Sequence, residues 1–198
     1  MIKAVIFDLW DTLGSKGFAI YRLLQEHFKI EDYPEYHADY EKCIQLKKWA
    51  SKEELAKAFL DKFNIQVNEK NIKDIVGMYD KGIENAKLFD GIKEILKSLQ
   101  KKYKLGLISN TTNLEIGFID RTNIRTFFNA IVCSFDVGKI KPALEIFKEV
   151  ASRLSVKLSD CLFIDDSLNN IETARGYGLK AIHFKDVSQL KKDLAEYI

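Results

Sequence analysis

Asp8 closes the apolar run Lys3–Asp8 (KAVIFD), and a carboxylate at the end of a buried segment is costly unless it is paired or used. Followed by Leu9-Trp10-Asp11-Thr12-Leu13, it has the setting of a nucleophilic carboxylate. The plainer alternative is an aspartate that caps its loop. Three other clusters stand in similar places. Ser109-Asn110-Thr111-Thr112 follows the run Lys104–Ser109 (KLGLIS). Small hydroxyl side chains and free N–H groups at a strand-to-helix turn bind anions, although the same residues also serve as ordinary helix caps. Lys141-Pro142 pairs a cation with a stiff turn. A lysine held there neutralises clustered carboxylates and a substrate anion; standing alone, it reads as a solvated surface residue. Asp165-Asp166-Ser167 closes the run Cys161–Asp165 (CLFID), with Asn170 a short step on. Adjacent acids repel each other, a divalent cation relieves that repulsion, and hard carboxylate oxygens suit Mg²⁺. The competing role is an N-cap pair for a helix starting near Leu168.

Positioning these groups requires strands that end together. The three runs above, with Ala130–Phe135 (AIVCSF) and Leu179–Phe184 (LKAIHF), are continuously apolar, as expected of strands buried on both faces of a parallel sheet. Helical patterns separate them at Gly91–Lys102, Leu114–Arg121, Leu144–Leu154, Asn169–Tyr177 and Ser188–Tyr197. The alternation predicts an α/β fold with a Rossmann-like, doubly wound parallel sheet. In such a sheet the site lies beyond the carboxyl ends of the strands, where Asp8, Ser109 and Asp165 all fall.

Residues 17–87 break the alternation. Four amphipathic helical patterns occur there, Phe18–Phe28, Pro34–Trp49, Glu53–Phe63 and Glu69–Asn85, and no strand-like run. Pro34 suits a first helical turn, and Ser51 with Glu54 resembles a capping box. The expected organisation is a core of residues 1–16 and 88–198 with a helical domain of residues 17–87 inserted in it. Gly14, Gly17 and Gly91 lie near the junctions as candidate hinges. Trp49, Tyr36, Tyr40 and Phe59 read as core of the insert, and Arg22 is its only arginine.

Bulk properties narrow the function classes. Lys+Arg 31 against Asp+Glu 29 leaves a net charge of +2, with no electrostatic case for nucleic acid or membrane. The three cysteines, Cys43, Cys133 and Cys161, are far apart and suggest neither disulfides nor a zinc site. Cys133 and Cys161 read as buried strand residues. His27, His37 and His183 lack metal-ligand company. No apolar stretch reaches the roughly 18–20 residues of a membrane span. The amino terminus lacks a cleavage-site pattern, so a cytoplasmic location is expected. Oligomeric state has no signature in the pattern.

The four clusters in this order resemble the motifs of the haloacid dehalogenase superfamily, and the resemblance runs across nearly the whole chain. Phe7-Asp8-Leu9-Trp10-Asp11-Thr12-Leu13 is similar to the first motif, Ser109 to the second, Lys141 to the third, and Asp165-Asp166-Ser167 with Asn170 to the fourth. The insert resembles the helical cap that closes over the site and selects substrate. Most members are phosphatases. The resemblance implies Asp8 as nucleophile, with Ser109 and Lys141 completing the catalytic set on the equatorial phosphoryl oxygens. It further implies Asn110 and Thr12 as substrate-binding, and Mg²⁺ held by Asp8, the Trp10 backbone carbonyl, Asp165 and Asp166. The expected substrate is a small phosphomonoester.

One position departs from the pattern. Phosphatases of the superfamily carry a second aspartate two residues after the nucleophile as general acid; here that residue is Trp10. Indole only donates and does not shuttle a proton at neutral pH. Asp11 is one residue out of register for that role. The superfamily's haloacid dehalogenases also have an aromatic residue there, since halide leaves without a proton. Two alternatives to a phosphatase therefore stand: Asp8 attacking carbon in a 2-haloacid, or a weakly active member that binds a ligand or partner. Against dehalogenation, those enzymes are metal-free and lack the acidic pair of the fourth motif.

Overall fold

The computed structural model describes residues 1–197. Its main sheet holds five parallel strands, β1 (Ala4–Phe7), β4 (Lys104–Ser109), β5 (Ala130–Cys133), β6 (Cys161–Asp165) and β7 (Lys180–His183), in the order β5-β4-β1-β6-β7. The central place of β1 explains its fully buried sequence, Ala-Val-Ile-Phe. Alternate residues feed two cores. Val5 and Phe7 pack with Ile92, Leu96 and Leu190 from α5 (Ile92–Leu99) and α10 (Val187–Leu194). Ala4 and Ile6 pack with Phe147, Val150 and Ile171 from α8 (Leu144–Arg153) and α9 (Leu168–Gly176). Two covered faces are what a parallel sheet of continuous apolar strands requires. Phe7 lies opposite both Leu107 and Ile164, so β1, β4 and β6 end at one level and deliver their last residues to one edge.

Between β1 and the second half of the sheet lie four helices, α1 (Ile20–Phe28), α2 (Tyr36–Ile44), α3 (Lys52–Lys62) and α4 (Glu69–Asn85). They enclose their own core of Leu24, Ile44, Leu55, Phe59, Leu60 and Tyr79. Trp49, Tyr36, Tyr40 and Phe59 are all buried. The Tyr40 and Tyr79 hydroxyls meet at 2.7 Å within that core. Burial holds both phenols far above their ordinary ionisation range. Ser51 caps α3 by accepting from the Glu54 amide at 3.2 Å. The Glu54 carboxylate returns to the Ala50 amide instead of the Ser51 amide, so the box is offset by one residue.

The structure corrects several sequence expectations. Pro34 sits in a turn ahead of α2, which begins at Tyr36. The third apolar run leaves the sheet after Cys133, and Ser134–Val137 forms a one-turn helix, α7. The helix expected at Leu114–Arg121 forms only over Phe118–Arg121 (α6). The Thr112 carbonyl accepts from both Glu115 and Ile116, and the Thr112 hydroxyl holds the Glu115 carboxylate at 2.9 Å, which fixes the preceding residues as a tight loop.

Two strands of two residues each, β2 (Gly14–Ser15) and β3 (Lys87–Leu88), pair antiparallel where the helical segment leaves and rejoins the sheet. Gly14 is needed there for close approach. A Cβ on it would stand 2.5 Å from the Lys87 carbonyl oxygen and 2.9 Å from the Phe118 ring. Gly17 and Gly91 have φ of 80° and 87°, which a residue with a side chain adopts only under strain. Gly14→Ala is therefore expected to destabilise by about 1–3 kcal/mol through overpacking. Gly77→Ala, on the exposed side of α4 with open space around it, should be neutral or stabilising by about 0.5–1 kcal/mol. Paired thermal melts check this; equal effects would show that Gly14 is not packing-limited. Cys133 and Cys161 are buried, Cys43 is half-buried, and all three are free thiols. Among the described residues no helix is long and apolar enough to cross a membrane.

Candidate active site

The shared level of β1, β4 and β6 brings the sequence-distant groups together. Asp8, whose amide donates to the Ile164 carbonyl at 2.9 Å, follows β1; Asp165 ends β6 beside it. Lys141 reaches them from the loop after α7, with its side chain 3% exposed. Its Nζ donates to Asp8 Oδ1 and, at 2.6 Å, to Asp165 Oδ2. Asp165 is further held by the Ser167 amide at 2.7 Å and by Asn170 Nδ2 at 3.1 and 3.2 Å. Burial pushes the Asp8 carboxyl up to about 8; Lys141 draws it down, while the charges of Asp165 and Asp166 raise it further. Burial also works against the Lys141 ammonium, but Asp165 and Asp8 outweigh it and hold that pKa above its ordinary value.

Asp166 stands at the exposed edge of the cluster. Oxygens of Asp8, Asp165 and Asp166 lie within 4.8 Å of one another, a spacing that one cation can bridge. Three carboxylates face a single ammonium, so two negative charges remain uncompensated when all are ionised. Thr12 is fully buried and holds Asp166: its Oγ1 accepts from the Asp166 amide at 3.1 Å and donates to Oδ1 at 3.4 Å. Thr12 thus positions an acid and does not line the cleft. Ser109 is fully buried, and its hydroxyl has no hydrogen-bond partner among the described residues. Ser109, like Thr12, does not line the cleft, but an unsatisfied hydroxyl at the end of a strand suits an anion that reaches it.

Trp10 takes a defined place next to the nucleophile. Its Nε1 donates to Thr111 Oγ1 at 3.1 Å, and its ring lies 5.0 Å from that of Phe118. The Lys16 ammonium stands 4.1 Å from the ring centre and pairs with the buried Glu115. Asp11 adopts a left-handed conformation, and its carboxylate accepts from Ser15 Oγ at 2.6 Å. That bond ties Asp11 to β2, although the residue still lines the cleft.

Asn110 is a clamp. Its Oδ1 accepts from the Lys141 amide at 2.8 Å, while Nδ2 donates to the Lys141 carbonyl at 3.3 Å and to Glu41 Oε1 at 2.9 Å. All side-chain bonds of Asn110 thus end on protein groups, although the residue lines the cleft. Glu41 belongs to α2, so this bond ties the helical segment to the loop that holds Lys141. Asp8, Lys141, Asp165 and Asp166 open into a cleft of about 900 Å³ whose far wall is formed by α1 and α2, with Arg22 on that wall. His183 contributes from outside, its Nε2 lying 2.9 Å from the Asp166 carbonyl.

Three features had no expectation in the sequence: the Glu41–Asn110 bond, the Lys16–Glu115 pair and the His183 contact. Only the second had a local signal, Thr112 followed three residues later by Glu115, the spacing of a capping box.

Comparison with known proteins decides the relationship. Residues 5–184 match the family described as haloacid dehalogenase-like hydrolase. The chain belongs to that family. As a haloacid dehalogenase-like hydrolase it resembles flavin mononucleotide hydrolase 1 of Arabidopsis thaliana, with 24% identity over 98% of this chain and 77% of that protein. A shorter match joins it to phosphoglycolate phosphatase of Escherichia coli, 29% identical over 50% of this chain and 40% of the relative. Among solved structures, a family enzyme from Bacteroides thetaiotaomicron in complex with magnesium and inorganic phosphate superposes with a TM-score of 0.68. Its identity is 19%, covering 96% of this chain and 99% of that one. A 2-haloacid dehalogenase from Pseudomonas syringae reaches 0.64 at 20% identity, covering 100% of both chains. At such identities these structures establish the shared α/β fold.

Proposed function

We propose that this hydrolase is a Mg²⁺-dependent phosphatase of small phosphorylated metabolites, working through an aspartyl-phosphate on Asp8. The observation that carries this reading is the triad of Asp8, Asp165 and Asp166 oxygens within 4.8 Å around a single lysine. Carboxylate oxygens in excess of the available positive charge are the donor set that a hard divalent cation takes. The Trp10 carbonyl is the further donor that the family resemblance supplies. Bound there, Mg²⁺ would neutralise the acids and a phosphoryl oxygen.

The residues of the chain divide the remaining tasks. An oxygen of Asp8 attacks phosphorus, and the bond to the leaving oxygen breaks with its electron pair. The Lys141 ammonium and the unpartnered Ser109 hydroxyl hold the equatorial oxygens as charge develops on them. Asn110 fixes the Lys141 backbone, and Thr12 fixes Asp166. Water then hydrolyses the acyl-phosphate. Trp10 supplies no proton to the leaving group, so esters with poor leaving groups react slowly. Residues 17–87 act as the cap on a core of residues 1–16 and 88–198, docked through Glu41 and Asn110. The enzyme relatives, whose names specify phosphate esters of small molecules, support this reading.

The second reading, dehalogenation of a 2-haloacid, is favoured by Trp10 alone. It leaves three carboxylates around the single Lys141 ammonium, with no cation to offset the excess negative charge, a costly arrangement. Phosphate release from a panel of phosphomonoesters, with Mg²⁺ and with chelator, is measured beside chloride release from 2-chloropropionate. The expected result is metal-dependent phosphate release that Asp8→Asn abolishes. Metal-independent chloride release overturns the reading. Silence in both assays with retained phosphate-ester binding turns it toward a binding protein.

A further inference from the structure

The cleft above Asp8 is larger than a small sugar phosphate needs. About 900 Å³ lies near the top of the roughly 300–1,000 Å³ range that encloses a drug-sized ligand. A second cavity of about 730 Å³ lies against it, with Tyr21, Arg22 and His37 as a wall common to both. That wall is aromatic and pre-set. The His37 ring lies 4.2 Å from Tyr21 at an interplanar angle of 34°. Tyr21 is backed in turn by Tyr40 and Tyr36 at 6.0 and 6.4 Å, both buried. His37 is nevertheless 53% exposed, so a stacked ring is offered to the cleft on rigid support. Its Nε2 lies 4.0 Å from Glu41 Oε1, the same oxygen that accepts from Asn110. The wall is thereby tied to the phosphate end of the cleft.

We propose that this wall is a leaving-group subsite for a planar heteroaromatic ring, so that the substrates are nucleotide-sized phosphomonoesters whose ring stacks on His37. The assignment rests on the phosphatase reading for the phosphate end and on the aromatic wall for the other. A sugar phosphate would leave the exposed His37 ring without a stacking partner, which sets the direction of discrimination.

Binding to the Asp8→Asn protein tests the subsite apart from turnover. A purine nucleoside monophosphate and ribose phosphate share the phosphate and the sugar and differ only in the ring. The nucleotide is expected to bind roughly 5- to 150-fold tighter, the range of one base–aromatic stack. His37→Ala should collapse that ratio toward one, and His37→Phe should retain it. Equal affinities in the Asp8→Asn protein, or a His37→Ala effect identical on both ligands, overturns the subsite. Melting curves of each variant separate either result from misfolding. Acetyl phosphate, which has no ring, tests the phosphatase reading on its own in the wild-type protein. Its hydrolysis without any nucleotide preference removes the subsite alone. A nucleotide preference without phosphate release from any ester removes the phosphatase reading alone.

Discussion

Trp10→Asp raises the rate of alkyl phosphate hydrolysis, by about 10²–10⁴-fold if the new carboxyl reaches the leaving oxygen as general acid. Position 10 lies two residues after the nucleophile, and its indole is fixed by Thr111 and Phe118 as a donor that takes up no proton. The substitution also removes the ring that packs on Phe118 and under the Lys16 ammonium, so the melting temperature should fall while the rate rises. Opposite signs in the two measurements separate a chemical gain from a change in folding. Acetyl phosphate, whose leaving group departs without a proton, should gain far less than an alkyl ester. An unchanged or lower rate on both esters would mean that proton donation to the leaving group does not limit turnover.

Lys141→Met has the second large effect. Lys141 is buried between Asp8 and Asp165 and is the cation in contact with them. Breaking a buried pair by removing one partner costs about 3–5 kcal/mol, because the remaining charge is uncompensated. Denaturant titration in chelator should show a loss of that size, partly recovered by millimolar Mg²⁺ if the three carboxylates bind the metal. The rate should fall by about 10²–10³ even at saturating Mg²⁺, the loss associated with one preorganised donor to a developing negative charge. Full activity in this variant would remove Lys141 from the catalytic set. Stability that does not respond to Mg²⁺ would argue against a metal at the triad.

Much of the architecture was legible because buried parallel strands leave a simple mark. KAVIFD, KLGLIS and CLFID are continuous apolar runs that end in a polar residue, and each became a strand of the main sheet. The register of β1, β4 and β6 then follows from packing, and it places Asp8, Ser109 and Asp165 at one edge. The four helices of the insert were legible from their amphipathic periods, to within two residues at their ends except that the second stops at Ile44, five residues short of Trp49.

What stayed hidden has physical reasons. Strands of two residues, such as β2 and β3, are too short to show a period, and the need for Gly14 arises from a carbonyl 73 positions away in the chain. The Glu41–Asn110 bond joins residues 69 apart and depends on how the helical segment sits on the sheet. Thr12 was implied as a substrate group by the family resemblance alone. Its burial and its two bonds to Asp166 depend on β1 and β6 being neighbours, which spacing alone does not encode. Trp10 was legible as a departure, but its Thr111 and Phe118 contacts were not.

The most direct test of the central claim looks for the phosphoryl group on Asp8 itself. Enzyme mixed with Mg²⁺ and acetyl phosphate is quenched in acid within one turnover, digested, and its peptides weighed by mass spectrometry. One added phosphoryl group is expected on the peptide that carries Asp8, located at Asp8 by fragmentation and absent in Asp8→Asn. Phosphate release in the wild-type protein with no such adduct at any quench time, together with turnover retained in Asp8→Asn, would contradict it.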